Sequence, residues 1–394
     1  MNKMNKKIAI ITRRAGYNMG SSLQAYAIFR FLSKMGYNTT ILDYDEAAKF
    51  VMWRIKPMIE SIEYAILNFL PIVCIGMLKR KYMKLKIAEI QRQRFRIFEQ
   101  QFMTLSKKKF RKLEDFVSER DQYDAYVCGS DQIWSPYMFD PVFYFGFLGK
   151  NEKNKTIAYA PSMGVNSTND ITTEQKDLMK EIAHISCREK VGSKLIEEIT
   201  GRRTPVVLDP TLMLTANDWR QVMTEKHSCK NKGYILTYFL HTNAYEDNIP
   251  RNFLADLKRK TGLFVINIQM YKLTNVYNGD INIEDAGPQD FLHYISNASY
   301  ICTNSFHCCV FSFIFKKRFY VTERFRKVSN STEEQNSRIY TLLNMIGYEE
   351  ALISNKTNID EISIDINPDY SLGEQNIERK RQESIKYINN SLSY

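Results

Sequence analysis

The chain has 394 residues, of which 44% are hydrophobic and 25% are charged, as is typical of a soluble globular protein of about two domains. Its seven cysteines are an odd number and include no C-x-x-C pair, which argues against a zinc ribbon and against a secreted disulfide framework. The N-terminal stretch MNKMNKKIAIITRR has an apolar run of four residues, whereas a signal peptide needs roughly seven or more. We therefore predict a protein of the reducing cytoplasm.

The net charge of +11 is concentrated in one segment. Residues 79–112 hold 13 Lys or Arg and 2 acids, a difference of +11 that equals the excess of the whole chain. Before it lies the uncharged stretch 65–78, which is shorter than the ~20 residues of a membrane span and which Pro71 and Gly76 should interrupt as a helix. The pattern is typical either of an element at an anionic membrane surface or of a buried helix followed by a solvated basic one. No recognition motif accompanies the charge, so we expect no nucleic-acid partner.

The start of the chain predicts a β–α–β unit. Apolar, β-branched residues predict buried strands at 6–12 and 39–44. Between them, residues 21–36 predict a helix that Ser21 or Ser22 can cap. Such a unit forms parallel strands with a right-handed connection.

Further strands and helices follow in two series, which predicts parallel sheets with helices on both faces. The strands of the first series are predicted at 124–128, 156–160, 184–187 and 205–209. Residues 217–233 are polar and predict a connection. The second series is predicted at 234–240 (strand), 250–260 (helix), 263–269 (strand), 288–296 (helix), 300–304 (strand), 306–316 (helix) and 318–322 (strand), followed by a helix at 374–390.

Polar residues follow many of these strands, at the edge where parallel sheets bind ligands and helix N-termini present free N–H groups. The loops in this position are 16–21, 129–134, 160–162, 188–189, 209–211 and 304–307. Singly, each has a plain structural explanation, such as a capped turn or a surface ion pair. Together they predict a cleft between two domains.

His307 is predicted to open a helix, where the positive field favours a neutral imidazole that can act as a base. The same helix end attracts phosphate or carboxylate, and Arg188 offers a fork for an anion. The alternative is that His307 is a packed histidine with only a structural role. A metal site lacks partner ligands at useful spacing, so we predict none. Cys308 and Cys309 are predicted to be small buried residues of the helix.

Seven stretches, in order within residues 6–322, resemble the polysaccharide pyruvyl transferase family. They are N-M-G-S-S-L-Q-A-Y-A (18–27), V-C-G-S-D-Q-I-W (127–134), I-A-Y-A-P-S-M-G (157–164), C-R-E-K (187–190), V-L-D-P-T-L-M-L (207–214), D-A-G-P-Q-D-F-L (285–292) and T-N-S-F-H (303–307). The resemblance implies an α/β fold of two Rossmann-like domains that face each other across a cleft, as in GT-B glycosyltransferases. We therefore expect an N-terminal Rossmann-like domain at 1–216 with an apolar and basic insertion at about 45–112, a C-terminal Rossmann-like domain at 217–350, and a C-terminal extension at 351–394.

The resemblance also implies an activity: transfer of the pyruvyl group of phosphoenolpyruvate to a sugar of a cell-surface polysaccharide precursor, as in exopolysaccharide or capsule, to form a pyruvate ketal. No metal or organic cofactor is expected. Two alternatives stay open, namely a GT-B glycosyltransferase that uses a nucleotide sugar and a non-enzymatic membrane-surface scaffold in envelope assembly. The segment 65–112 would suit a lipid-linked acceptor and a peripheral position on the inner face of the membrane.

The resemblance also implies which residues bind the donor. His307 matches the family's T-N-S-F-H histidine, and we expect it to transfer a proton or to neutralise leaving phosphate. Arg188 matches the arginine of the family's R-E motif and would hold phosphoenolpyruvate, with Asn304 and Ser305 beside it. The family usually has glycine where this chain has Cys308, and a side chain there would crowd a phosphate that approaches the backbone.

Further candidate residues concern the acceptor sugar. Asp131 and Asp209 would position or deprotonate sugar hydroxyls and are the other two catalytic candidates. The remaining residues expected to line the cleft and bind the acceptor are Asn18, Gly20, Gln24, Gly129, Ser130, Gln132 and Ser162.

Overall fold

The computed structural model describes most of the chain. The described residues are 6–14, 18–46, 71–224, 233–240, 249–269, 279–323, 333–354, 356–362, 364 and 368–393, with the backbone alone at 71–85, 249 and 333–335. The predicted loop residues Gly16 and Tyr17 lie outside these ranges, as do 65–70 of the apolar stretch, 47–70 of the predicted insertion, and 225–232 of the predicted connection.

The first of two parallel sheets has six strands in the described residues. They are β1 (Lys7–Ile11), β2 (Asn38–Tyr44), β3 (Leu105–Phe110), β4 (Ala125–Cys128), β5 (Thr156–Ala158) and β6 (His184–Ile185). The accompanying helices are α1 (Met19–Lys34), α2 (Pro71–Phe102), α3 (Thr173–Lys180), α4 (Lys190–Thr200) and α5 (Ala216–Arg220). The strand order β3-β2-β1-β4-β5-β6 is that of a Rossmann fold, in which ligands bind where the order reverses, beside β1 and β4.

The second sheet repeats this arrangement. Its strands are β7 (Tyr234–Tyr238), β8 (Phe264–Ile268), β9 (Ile281–Ile283), β10 (Tyr300–Thr303), β11 (Arg318–Thr322) and β12 (Leu352–Ile353), in the order β12-β11-β10-β7-β8-β9. Its helices are α6 (Ile249–Thr261), α7 (Pro288–Asn297), α8 (Phe306–Ile314), α9 (Glu333–Ile346) and α10 (Ser371–Ser391). When the strands of the second sheet are numbered from β7, their order is the same as in the first sheet. This agreement confirms the predicted fold of two Rossmann-like units.

Two local predictions are wrong. Residues 205–209 form no strand but a single bridge between Cys187 and Val206, because Pro210 has no N–H to donate and starts a 3-10 turn at Pro210–Met213. The cap of α1 is neither Ser21 nor Ser22. Asn18 caps the helix by accepting a hydrogen bond from the Ser21 N–H at 3.2 Å.

The basic segment contributes to the fold more than its charge suggested. Helix α2 begins at Pro71 and continues through Gly76, so the predicted interruption at Gly76 does not occur. Proline suits a helix start because the first N–H groups have no partner in the helix. Strand β3 then pairs with β2 at the edge of the sheet, so this part of 45–112 supplies the crossover and third strand of the Rossmann unit. No helix in the described residues is both long and apolar enough to cross a bilayer.

The two units share one hydrophobic core. Fully buried Trp219, inside the stretch predicted as a polar connection, packs against Tyr26 of α1 (5.5 Å between ring centroids) and Phe311 of α8 (4.8 Å). Helix α10 also contacts both units, since Gly373 lies against Ile346 while the Ser384 hydroxyl accepts a hydrogen bond from the Leu208 N–H at 3.0 Å. The carboxyl edges of β1, β4 and β10 are thereby held close together. The boundaries 1–216, 217–350 and 351–394 stay a prediction.

Candidate functional site

His307 belongs to the second unit and reaches the first. Strand β10 ends at Thr303, whose hydroxyl accepts from the Ser305 N–H at 3.0 Å. Ser305 then caps α8 by accepting from the Cys308 N–H at 3.4 Å. The turn carries the His307 imidazole to the first unit, where Nε2 lies 3.6 Å from Oδ2 of Asp209.

Arg188 contacts the same carboxylate oxygen of Asp209. Its Nη1 donates to Asp209 Oδ2 at 2.8 Å, and the two side chains are 4% and 1% exposed. The other side-chain nitrogens of Arg188, Nε and Nη2, are buried and have no hydrogen-bond acceptor among the described residues. Nε2 of His307 is also buried and has no acceptor there within ordinary hydrogen-bond distance, since its ion-pair partner Asp209 Oδ2 is 3.6 Å away. Because buried polar groups nearly always have partners, these three nitrogens indicate a site for an acceptor-rich ligand.

Asp131 completes the cluster from the loop after β4. Its carboxylate accepts from the Ser21 hydroxyl at 2.5 Å, and its backbone is left-handed with φ of 66°. The neighbouring Ser130 donates its N–H to Gln24 Oε1 at 3.0 Å, and its hydroxyl lies 3.3 Å from Asp209 Oδ2. The loop is thus fixed both to α1 and to Asp209.

Both aspartates are ionised near neutral pH. Burial raises the pKa of Asp131, but the charges of His307 and Arg188 and the Ser21 hydrogen bond outweigh it and leave the pKa below its ordinary value. Burial likewise opposes ionisation of Asp209, whose pKa is held well below its ordinary value by His307 and Arg188. Burial lowers the pKa of Arg188, yet Glu189 and Asp209 raise it overall.

Two of the predicted glycines are explained by close contacts. A Cβ on Gly20 would lie 2.2 Å from Nδ1 and 2.6 Å from Cγ of His307, so glycine lets α1 approach the imidazole. Gly129 has a φ of +120° and would place a Cβ 1.9 Å from the Tyr159 carbonyl oxygen. Both positions therefore serve the packing around the site.

The other predicted cleft residues mainly support the loops. Gln24 donates Nε2 to the Thr12 hydroxyl and the Arg13 carbonyl, both at 2.8 Å. The backbone carbonyl of Gln132 accepts a hydrogen bond from Arg13 Nη1 at 3.0 Å. Ser162 donates its hydroxyl to the Glu189 carboxylate. Asn18, as the cap of α1, lies three residues before Ser21 and holds the start of that helix.

Asn304 and Cys308 have structural partners. The Asn304 side chain accepts from the Leu240 N–H at 2.7 Å and donates to the Leu240 carbonyl at 3.1 Å, which joins the ends of β10 and β7. Cys308 is fully buried, and burial raises the pKa of its thiol to about 12. The Cys308 side chain has Thr303, at the end of β10, and Ser312 of α8 as its hydrogen-bond partners, so it packs within the second unit.

Two residues near the cluster were not among the predicted site residues. Phe306 places its ring centroid 4.7 Å from Cζ of Arg188 and 5.2 Å from the His307 ring. In the sequence it is one apolar residue of an apolar helix, so nothing distinguished it. Glu189, buried beside Arg188 with 3.8 Å between Oε1 and Nε, was visible in the R-E pair but had an ordinary surface-pair explanation.

The site therefore combines one guanidinium, one imidazole and three carboxylates at a junction of two Rossmann-like units. It can bind an anion through Arg188 and His307 and accept or deliver protons through His307. In the described residues, no three His, Cys, Asp or Glu side chains are arranged to hold a metal ion.

Fold and site together define a two-domain α/β protein of the GT-B-like class, with a buried polar cluster where the units meet. The family model described as polysaccharide pyruvyl transferase matches residues 18–324, and the chain belongs to that family. None of the curated proteins matches this sequence.

Solved structures are similar in fold. An S. aureus MnaA-UDP co-structure is 14% identical with a TM-score of 0.50, and the match covers 98% of this chain and 97% of that one. UDP-GlcNAc 2-epimerase from Methanocaldococcus jannaschii is 12% identical, covering 96% and 99% of the two chains with a TM-score of 0.48. The Neisseria meningitidis UDP-GlcNAc 2-epimerase bound to UDP-GlcNAc is 11% identical, covering 98% and 100%, also with a TM-score of 0.48. At these identities the likeness concerns the fold alone.

Proposed function

We propose that the protein transfers the pyruvyl group of phosphoenolpyruvate to a sugar of a cell-surface polysaccharide precursor and forms a cyclic pyruvate ketal. Membership of the polysaccharide pyruvyl transferase family supports a transferase that acts on polysaccharide. The observation that carries the proposal is the set of three buried nitrogens without acceptors, on Arg188 and His307. Phosphoenolpyruvate, with its carboxylate and phosphate, supplies the acceptor oxygens that these nitrogens lack.

The chemistry divides into two steps. In the first, the methylene carbon of the donor takes up a proton, the C2 atom bonds to a sugar hydroxyl oxygen, and the proton of that hydroxyl passes to a base. In the second, the bond from C2 to the phosphate oxygen breaks, and phosphate leaves with the electron pair. A second hydroxyl of the same sugar then bonds to C2 and releases its proton. The products are the ketal and inorganic phosphate.

The residues of the site can divide this work between them. His307 would transfer a proton or neutralise the leaving phosphate. Arg188 would hold one anionic group of the donor through Nε and Nη2. Asp131 and Asp209, kept ionised by their neighbours, would orient or deprotonate the sugar hydroxyls. No metal or organic cofactor takes part in this scheme.

The identity of the released leaving group distinguishes this function from that of a glycosyltransferase. The purified full chain is incubated with phosphoenolpyruvate, or with a panel of nucleotide sugars, in the presence of lipid-linked and nucleotide-linked sugar acceptors. The proposal requires inorganic phosphate release that depends on both phosphoenolpyruvate and acceptor, with pyruvate bound to the product. Nucleoside diphosphate release, without any turnover of phosphoenolpyruvate, would instead support the glycosyltransferase.

We also propose that the acceptor is lipid-linked and that the protein works at an anionic membrane surface on the cytoplasmic side. Exposed basic side chains on β3 and directly after it support this, namely Lys107, Lys109, Arg111 and Lys112. Each basic residue near an anionic surface adds roughly 1 kcal/mol of attraction.

Sedimentation with vesicles tests the membrane part by itself. The triple variant Lys107→Glu, Lys109→Glu, Lys112→Glu should lose binding to anionic vesicles, whereas Lys180→Glu, at an exposed position of α3, should keep it. A wild-type chain that stays in the supernatant with anionic vesicles would disprove the membrane proposal. A chain that binds vesicles but never binds phosphoenolpyruvate would support a membrane-surface scaffold.

A further inference from the structure

The cleft cluster, defined as Asp131, Arg188, Glu189, Asp209 and His307, is short of positive charge for an anionic donor. It holds three carboxylates and a single guanidinium. The pKa values of Asp131 and Asp209 are both lowered, so these carboxylates keep their charge near neutrality. Nη1 of Arg188 is already bonded to Asp209. A donor that carries a carboxylate and a phosphate therefore needs a further cation nearby, since an uncompensated buried anion is strongly disfavoured.

The ring of Phe306, which contacts Arg188, also contacts a second guanidinium. Its ring centroid lies 4.7 Å from Cζ of Arg188 and 6.0 Å from Cζ of Arg338, which is on α9. Both distances are within the range of a cation–π contact. Phe306 and Arg338 are half-buried, unlike the buried Arg188. One aromatic ring of the T-N-S-F-H turn is thus shared by two arginines of different units.

We infer that Arg338 is a second anion-binding residue of the cleft, which contacts the carboxylate or phosphate that Arg188 does not hold. This rests on the proposed function, because it names the residue that completes the donor site. Because both contact one ring, the two guanidinium carbons are within about 11 Å of each other. A small molecule with an anionic group at each end can span that separation through hydrogen bonds to both. A planar guanidinium also matches either group with two parallel hydrogen bonds.

Titration calorimetry of the full chain with phosphoenolpyruvate tests the inference. Arg338→Ala should weaken binding by roughly tenfold or more, as expected for loss of a charged hydrogen-bond donor. Arg338→Lys, which keeps the charge but not the fork, should lose less. The matched control is Arg220→Ala, because exposed Arg220 has its Cζ 5.9 Å from the Phe315 ring and belongs to no part of the cleft cluster. It should bind phosphoenolpyruvate as the wild type does.

The outcomes separate this inference from the function on which it rests. If wild type binds phosphoenolpyruvate and Arg338→Ala binds it equally well, Arg338 is not a donor residue while the proposed function stands. If wild type binds none, both are wrong. Should Arg338→Ala fail to fold, Arg338→Gln keeps the stem and removes the charge, and the same tenfold loss is expected. A structural role would lower the thermal stability of both variants without raising the KM for phosphoenolpyruvate relative to kcat.

Discussion

His307 and Asp209 come from different Rossmann-like units, and Nε2 of the imidazole lies 3.6 Å from Oδ2 of the carboxylate. The carboxylate can orient the ring and stabilise the imidazolium that forms when the ring takes a proton. Because the pair spans the junction, the residues proposed for donor binding and for acceptor binding are assembled only when the two units are packed together.

Replacement of His307 should affect turnover far more than folding. His307→Ala is expected to lower kcat by at least ~100-fold if the imidazole does acid–base work. His184→Ala is the control, because His184 begins β6, at the opposite end of the strands from the cleft. Steady-state turnover of phosphoenolpyruvate is the measurement. Near-normal turnover by His307→Ala would rule out a proton-transfer role.

Gly20→Ala should act through His307. The added Cβ would lie 2.2 Å from Nδ1 and 2.8 Å from Cβ of His307, so the imidazole must move. A displacement of this kind is expected to lower turnover by roughly 10- to 100-fold, while alanine itself is a better helix former than glycine.

A double-mutant cycle checks that mechanism. In a His307→Gly background neither the ring nor the Cβ atom that would lie 2.8 Å from the new methyl group is present, so Gly20→Ala should change turnover little. If the two single-variant losses of turnover instead multiply in the double variant, Gly20 affects turnover by a route other than the position of the His307 ring.

Asp131 should contribute to stability in a pH-dependent way. Burial raises its pKa, but His307, Arg188 and Ser21 lower it overall. A lowered pKa in the folded state stabilises the protein above the unfolded pKa, which is about 3.9, and this contribution is lost as the pH falls through the folded value.

The comparison with Asp131→Asn isolates that contribution. Asparagine tolerates the left-handed φ of 66°, so the variant should fold. Its free energy of unfolding should be lower than that of wild type at pH 7, and the gap should narrow toward pH 3. A gap that stays constant from pH 7 to pH 3 would mean that the charge of Asp131 is not stabilising.

Cys308→Gly, which introduces the glycine that the family resemblance led us to expect, should destabilise the fold and leave the donor site alone. The thiol is fully buried, so its removal leaves a cavity, and glycine within a helix costs about 1 kcal/mol more. We expect a loss of about 2 kcal/mol in denaturant unfolding and an unchanged KM for phosphoenolpyruvate. A KM that improves tenfold with stability unchanged would mean that the side chain does crowd the donor.

The sequence predicted elements well where one residue pattern decides the structure. Strand β11 at Arg318–Thr322 has the predicted bounds, and α8 starts at the predicted residue Phe306, because apolar runs and a serine cap determine both locally. Strand β3 was missed because L-S-K-K-K-F is half basic. Lysines suit an edge strand, where they discourage pairing with another chain, so composition alone pointed to a solvated segment.

The site was predictable as a set of strand-end loops, but the partnerships within it were not. That Asp209 lies between Arg188 and His307 depends on how two units pack, and no local pattern encodes this. Asn304 illustrates the limit, since the loop position suggested a ligand contact while its amide joins Leu240 to the end of β10. No sequence pattern distinguishes Phe306, because the arginines that its ring contacts lie far away in the chain.

The most direct test of the central claim is a crystal structure of the protein soaked with phosphoenolpyruvate. We expect donor oxygens within hydrogen-bond distance of Nε and Nη2 of Arg188 and of Nε2 of His307, at the start of α8. Phosphoenolpyruvate bound elsewhere, with those three nitrogens still without acceptors, would contradict it.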